Sequence, residues 1–390
     1  MKPAILGGDP VFEPPLAFAR PTIEESEKVL ARMSESLESG IVTNGPVVRE
    51  LEERVAAAFE VEHCVAVSSC TTGLMLVAQA LRPEGAAIVP SFTFAASAHA
   101  LAWNGLTPTF VDCDPLSWCL RPEDIPEDAR LVMAVHVSGV PCYVEALQQR
   151  CKEIGAELMF DAAHGSGSLV QLDGKLRPLG GFGRAEVFSL TPTKVMSGAE
   201  GGLVTTRDLA LAERLRLARD YGNPGDYDTR FVGLNGRLSE LNAALALESL
   251  EHLEDRVRHR NVLADRYREI MGAAPGVGFQ QVRDGDRSSY KDFTILIDES
   301  EFGASREAVV AALHAEGIPT RPYYSPPLHR QQAYSHLPKA DLPVTEQLAS
   351  QVISLPIWSH MDLETCHHIA GALVRIQRHA RDLVTTGSYI

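Results

Sequence analysis

Between about residues 60 and 206, short apolar and β-branched runs alternate with stretches in which apolar positions recur at helical spacing. This alternation is typical of an α/β domain whose mostly parallel sheet is covered by helices on both faces. Helices are predicted over residues 74–81, 94–104 and 143–154. The seven predicted strands cover residues 64–67, 87–89, 108–111, 131–136, 157–160, 186–189 and 203–205.

The pattern changes in the second half of the chain. Residues 237–253 and 255–271 are rich in Leu, Ala and Arg, and predict two long helices. Residues 291–297 predict a strand, and the helices predicted after it cover residues 306–316 and 363–379. The 390 residues exceed the size at which a single core stops growing. We therefore expect a large domain over residues 1–250 and a smaller α+β domain over residues 251–390.

Composition excludes several classes of partner and compartment. Lys plus Arg number 36 against 51 Asp plus Glu, a net charge of −15 with no basic block, so we expect neither nucleic acid nor an anionic membrane as partner. Apolar runs are far shorter than the roughly 20 residues that span a bilayer. The seven cysteines form no C-x-x-C pair, and the first residues do not resemble a signal peptide. We therefore expect a cytoplasmic protein.

The sequence contains one pair of residues that could suggest a metal site. His367 and His368 are adjacent, so their side chains leave a helix in different directions. We therefore expect these histidines on the surface and predict no metal site.

One of the seven lysines stands apart from the others. Lys194 follows the strand predicted at residues 186–189 and leads into the glycine-rich turn 197–202. Open α/β sheets form their ligand crevices at such strand ends. A lysine amine in a place of low dielectric can form a Schiff base with a carbonyl group. Surface positions are expected for the other six lysines, Lys291 included.

A Schiff-base lysine suggests pyridoxal phosphate, which needs an acid at its ring nitrogen, a stacking plane and donors for its phosphate. Asp161 ends an apolar strand and could supply the acid, although it could also cap the turn that follows. Phe94 follows another strand end and could stack on the ring. The candidate phosphate donors are Ser69, Cys70 and Thr71, before a helix predicted to begin near Gly73, and Ser189 on a neighbouring strand.

Taken in order, these motifs resemble one family. They are Ser-Ser-Cys-Thr at 68–71, Pro-Ser-Phe-Thr-Phe at 90–94, Asp-Ala-Ala-His at 161–164, Phe-Ser-Leu-Thr-Pro-Thr-Lys at 188–194 and Glu-Gly-Gly at 200–202. The combination resembles the DegT-type nucleotide-sugar aminotransferases, which are fold type I pyridoxal phosphate enzymes. The similarity continues through Leu-Asn-Gly-Arg-Leu-Ser-Glu at 234–240 and spans nearly the whole chain.

The resemblance implies roles for particular residues. Lys194 would hold the cofactor covalently, Asp161 would pair with its ring nitrogen, and His164 would contact it near the phenolic oxygen. Ser189 and the amides of Cys70 and Thr71 would bind its phosphate; Cys70 stands where relatives commonly carry Gly. Asn235 would reach the cofactor phosphate of a second subunit, which implies a homodimer with shared active sites. From the residues alone, Asn235 could also cap the helix predicted after it.

The predicted function is amino transfer from an amino acid, glutamate or glutamine, to a keto sugar linked to a nucleotide. Three alternatives stay open at this point. They are a keto-cyclitol aminotransferase, a pyridoxal phosphate-dependent sugar dehydratase and a non-catalytic regulatory protein of the same fold. Dehydratases of this fold carry His at the lysine position, so Lys194 favours amino transfer over dehydration.

Overall fold

The structure is a computed structural model that describes residues 2–82 and 84–385. Seven strands form its main sheet, and each lies where the apolar pattern predicts a strand, to within two residues. Their bounds are β1 His63–Val67, β2 Ala86–Pro90, β3 Pro108–Val111, β4 Ala129–Val135, β5 Glu157–Asp161, β8 Ala185–Ser189 and β9 Gly202–Thr206. A hairpin of β6 Leu169–Leu172 and β7 Lys175–Pro178 lies between β5 and β8 in the chain.

The strands of the main sheet lie in the order β1-β9-β8-β5-β4-β2-β3. The strands β3, β2, β4, β5 and β8 pair in parallel, whereas β9 runs antiparallel to both β8 and β1. The predicted fold class, an α/β fold with a seven-stranded mostly parallel sheet, is confirmed. The carboxyl ends of the parallel strands therefore meet at one edge of the sheet.

Helices cover both faces of this sheet because its strands are apolar on both sides. In β1, Cys64 and Ala66 face one core, and Val65 and Val67 face the other. The first core contains residues of α2, α5 and α7, and the second contains residues of α3, α4 and α6. The bounds are α1 Ser26–Ser39, α2 Pro46–Ala58, α3 Cys70–Leu81, α4 Ala95–Trp103, α5 Val144–Ile154, α6 Leu209–Ala218 and α7 Glu240–Glu251.

Two helix starts differ from their predictions by three residues or more. Helix α3 begins at Cys70 rather than near Gly73, because the Ser69 hydroxyl accepts the backbone N–H of Thr72 (3.0 Å) and caps the helix there. Helix α7 begins at Glu240 rather than at residue 237, and its cap is Ser239. Asn235 lies four residues before that cap, so the alternative that it caps the following helix is wrong.

A second sheet and a third core occupy the C-terminal part. Antiparallel strands β10 Val277–Phe279, β11 Phe293–Ile297 and β12 Val352–Leu355 pack with the long helices α8 and α12. Apolar residues near the N-terminus, such as Phe12, pack on this core as well. The boundary between residues 250 and 251 stays a prediction. The helices are α8 Leu253–Met271, α9 Glu299–Phe302, α10 Arg306–Ala315, α11 Pro343–Gln351, α12 Leu363–Arg378 and α13 Ala380–Thr385.

None of the helices in the described ranges combines the length and the apolar content that a bilayer crossing requires.

Candidate active site

A cavity of about 350 Å³ opens at the carboxyl ends of β1, β2, β4, β5 and β8. Eight of the nine predicted site residues line it; Asn235 is exposed and lies outside the lining of this cavity. The parallel strands bring these residues together from positions more than 120 residues apart in the sequence, as the strand-end argument predicts. The eight residues are Ser69, Cys70, Thr71, Phe94, Asp161, His164, Ser189 and Lys194.

Lys194 reaches the cavity through a short turn after β8. Its backbone N–H donates to the carbonyl of Thr191 (3.0 Å), and its side chain is partly buried. No carboxylate of the described residues forms an ion pair with its amine. Burial and, as a smaller effect, the positive charge of Lys291 together lower the pKa of Lys194 to about 8. At pH 7 about a tenth of these amines are therefore neutral nucleophiles.

Asp161 ends β5 and is almost completely buried. The hydroxyl of Ser97 donates to its Oδ2 (2.7 Å), and the backbone N–H of Ala163 donates to its Oδ1 (3.0 Å). The second bond caps the turn after β5, which is the alternative role expected for Asp161. The residue also lines the cavity, so the cap and contact with a ligand are compatible. Burial raises the pKa of Asp161, because no cation in the described structure forms an ion pair with it. The site therefore suits a positively charged ligand group.

The start of α3 presents backbone donors to the cavity. Cys70 and Thr71 are the first two residues of the helix, so their N–H groups have no partner within it. Strand β9 passes very close, since a Cβ at Gly202 would lie 2.5 Å from the backbone nitrogen of Cys70. The buried hydroxyl of Ser189 lines the same cavity. These donors suit a phosphate group.

At Cys70, where the sequence departs from the family it resembles, the side chain is directed at strand β8. The thiol is buried and donates to the carbonyl of Val187 in β8 (3.6 Å). Burial raises the pKa of this thiol well above its ordinary value, so the side chain stays neutral. The side chain at this position thus packs against the sheet.

The two phenylalanines of the segment 90–94 differ in exposure. Phe92 is fully buried and packs edge-on against Trp118 and Tyr324, with ring centroids 5.9 and 5.6 Å away. Phe94 precedes α4, lines the cavity and is 61% exposed. Of the two, Phe94 is therefore the aromatic that a ligand ring could reach; stacking on Phe94 stays a prediction.

His164 lies on the side of the cavity formed by the C-terminal part of the chain. Its carbonyl accepts the hydroxyl of Ser289 (2.6 Å), and its Nδ1 is 3.9 Å from Oδ2 of Asp292. Burial holds the pKa of His164 well below its ordinary value, so the ring is neutral near pH 7. A neutral ring can donate or accept a hydrogen bond at the cavity without adding charge.

Residues 23–374 match the DegT/DnrJ/EryC1/StrS aminotransferase family. The chain belongs to this family. It is 29% identical over 341 residues to dTDP-4-amino-4,6-dideoxy-D-glucose transaminase of Escherichia coli, covering 86% of this chain and 91% of that protein. It is 31% identical to UDP-N-acetyl-3-dehydro-alpha-D-glucosamine 3-aminotransferase of Acidithiobacillus ferrooxidans, covering 90% and 94% of the two chains.

Among solved structures, that of DesI in the presence of its TDP-sugar product superposes with a TM-score of 0.91. The two sequences are 36% identical, and the match covers 98% of each chain. The family match over residues 23–374 includes every residue that lines the cavity.

One expectation about this aminotransferase is wrong. Lys291, predicted on the surface with five other lysines, is only 6% exposed and lines the cavity, whereas those five are exposed. Asp292, Tyr323 and Tyr324 line the cavity too, and sequence reasoning did not assign them a site role. The available signal was two adjacent charged residues directly before the apolar strand β11. Such a pair belongs on an exposed strand end unless a cavity receives both side chains.

Proposed function

We propose that the chain is a pyridoxal phosphate-dependent aminotransferase that moves the amino group of glutamate or glutamine onto a nucleotide-linked keto sugar. One observation carries this proposal. A single cavity contains three features: the partly neutral amine of Lys194, the carboxylate of Asp161, with which no cation of the described residues forms an ion pair, and the free N–H groups at the start of α3. Each feature matches a different part of the cofactor: its aldehyde, its ring nitrogen and its phosphate.

The residues present fit the cofactor. The amides of Cys70 and Thr71 with the hydroxyls of Ser69 and Ser189 would hold the phosphate, and Phe94 would stack on the ring. His164 would contact the phenolic oxygen. When bound, pyridoxal phosphate supplies an electron sink for negative charge that develops at the α-carbon of the donor.

Lys194 would act twice. Its neutral amine would hold the cofactor until the donor displaces it, and the freed amine would then take the proton from the α-carbon of the donor. Asp161 would stay charged opposite the protonated ring nitrogen, because a facing cation lowers a carboxyl pKa and offsets the effect of burial. The same residues would act in reverse order on the keto sugar.

The acceptor is proposed from the relatives. The names of both curated relatives refer to nucleotide-linked sugars, and DesI was solved with a TDP-sugar. A keto-cyclitol acceptor would use the same cavity chemistry, so it is the competing candidate in the experiment. Dehydration is disfavoured by Lys194, and a regulatory protein would lack cofactor absorbance.

We also propose a cytoplasmic homodimer with shared active sites. Asn235 is exposed and lies outside the cavity of its own chain. An exposed amide in that position is free to donate to the cofactor phosphate of a second subunit. The seven cysteines are buried free thiols, which suits a reducing compartment.

The experiment is an acceptor panel. Purified protein with cofactor receives glutamate or glutamine labelled with ¹⁵N in the α-amino group, together with dTDP- and UDP-linked keto sugars or with keto-cyclitols. Mass spectrometry should find ¹⁵N on a nucleotide sugar, and Lys194→Ala should abolish this transfer. Labelling of cyclitols alone would contradict the sugar assignment. No labelling by a cofactor-loaded enzyme across the panel would contradict amino transfer.

A further inference from the structure

We propose that Lys291 binds the α-carboxylate of the amino donor. Asp292 would hold the ammonium group of Lys291 in position for this contact. This inference rests on the proposed function and assigns its donor site. Among the described residues that line the cavity, Lys194 and Lys291 carry ammonium groups and none is an arginine. Lys194 is committed to the cofactor, so Lys291 is the lysine left for an anionic substrate group.

The surroundings of Lys291 are built to hold its charge in place. Its Nζ donates to Oδ1 of Asp292 (2.7 Å) and lies 5.4 Å from the ring centroid of Tyr323. An ammonium has three N–H donors, and within residues 2–82 and 84–385 its Nζ makes a single hydrogen bond to protein. At least one donor therefore remains for a group in the cavity.

The backbone at Lys291 is anchored as well. Its N–H donates to the carbonyl of Ser138 (3.2 Å), and the buried guanidinium of Arg260 donates to the carbonyl of Tyr290 (2.8 Å). These bonds tie the segment to the end of the main sheet and to helix α8. The ammonium is thus presented from a fixed backbone.

A purely structural role explains this pair poorly. Lys291 and Asp292 are 6% and 4% exposed, and desolvating two charges costs several kcal/mol that their attraction only partly repays. Buried ion pairs such as Arg219 with Glu52 join distant parts of the fold. Lys291 and Asp292 are neighbours in sequence, so their ion pair joins no two elements.

The burial of Lys291 favours the carboxylate of the amino donor over the diphosphate of the sugar as its binding partner. The donor and the keto sugar must each place a reacting carbon beside Lys194. In an amino acid the carboxylate is bonded directly to that carbon. In a nucleotide-linked sugar the diphosphate is attached through the anomeric carbon and lies farther from the reacting ring carbon. A buried ammonium in the cavity that contains Lys194 therefore suits the carboxylate.

The test separates the two half-reactions. Stopped-flow absorbance follows the cofactor as L-glutamate or 4-aminobutyrate, which lacks the α-carboxylate, donates its amino group. Lys291→Met should lower the ratio of the two kcat/KM values by about 10- to 100-fold, the value of one charged hydrogen bond. Lys291→Arg should keep most of the ratio, and the exposed Lys175→Met should leave it unchanged. The second half-reaction, from amine-form enzyme to keto sugar, should keep its KM.

A second readout does not need turnover. Calorimetry with 2-oxoglutarate and the aldehyde-form enzyme measures carboxylate binding without amino transfer, and Lys291→Met should weaken that binding by a similar factor. If Lys291→Met is too unstable to purify, Lys291→Gln removes the same charge and replaces it in both measurements.

Three results would overturn the proposal. They are an unchanged glutamate preference, an equal loss in both half-reactions, and a loss confined to the keto sugar, which would assign Lys291 to the diphosphate instead. The donor half-reaction requires no sugar, so a wrong acceptor class would leave this test intact. Calorimetry decides on Lys291 even for an enzyme that turns over no donor.

Discussion

The lowered pKa of Lys194 makes a direct prediction about how the apoenzyme takes up its cofactor. The perturbation is pH. Only the neutral amine attacks an aldehyde, so the rate of covalent attachment should follow the neutral fraction of Lys194. Burial and the charge of Lys291 lower its pKa from 10.5 to about 8. At pH 8 about half of these amines are neutral, against ~0.3% for an ordinary lysine, an advantage of roughly 150-fold.

The assay mixes cofactor-free protein with pyridoxal phosphate at different pH values and follows the absorbance of the cofactor–lysine bond. The rate should rise about tenfold per pH unit below about pH 8 and level off above it. Lys291→Met removes a positive charge from the cavity, so it should move the inflection to higher pH. A rate that keeps rising to about pH 10 would refute the reasoning, because the amine would then titrate as an exposed lysine.

Three further predictions concern the carboxylate of Asp161, the sharing of active sites in the dimer and the buried ion pair of Arg219. Asp161→Asn should retain the cofactor, measured by absorbance, but lose at least about 100-fold in kcat, because the protonated ring nitrogen of the cofactor loses its charged partner. Near-normal turnover would contradict the role of Asp161. Lys194→Ala and Asn235→Asp, each impaired alone, should regain activity toward half of normal in mixed dimers if sites are shared; no recovery despite proven subunit exchange would reject sharing. Arg219→Met should lower the free energy of unfolding by about 3–5 kcal/mol in chemical denaturation, because its buried carboxylate partner is left unpaired, whereas the exposed control Arg230→Met should change it by less than about 1 kcal/mol.

The main sheet could be predicted because each strand is a short, continuous apolar run followed by polar residues. The same rule located Asp161 and Ser189, which end their strands, and Lys194, which follows one closely. In a parallel sheet such ends meet at one edge, so position in the sequence translates directly into position in space. The site residues of the N-terminal half were therefore within reach of pattern reasoning.

The remaining site residues depend on long-range packing, which no local pattern encodes. Lys291 and Asp292 precede a strand of the second sheet, and only the packing of that sheet beside the first brings them into the cavity. The start of α7 is a smaller failure of a different kind, because the signal that was missed is local. Residues 237–239 are compatible with a helix, but the Ser239 cap places the first turn at Glu240.

The central claim is that Lys194 holds pyridoxal phosphate for amino transfer. Borohydride reduction of the cofactor-loaded enzyme, followed by proteolysis and mass spectrometry, tests it most directly, because reduction fixes the cofactor on the lysine that holds it. The account predicts the added mass on the peptide that contains Lys194 and on no other lysine. Added mass on Lys291, the other lysine of the cavity, or no added mass on a loaded sample, would contradict the account.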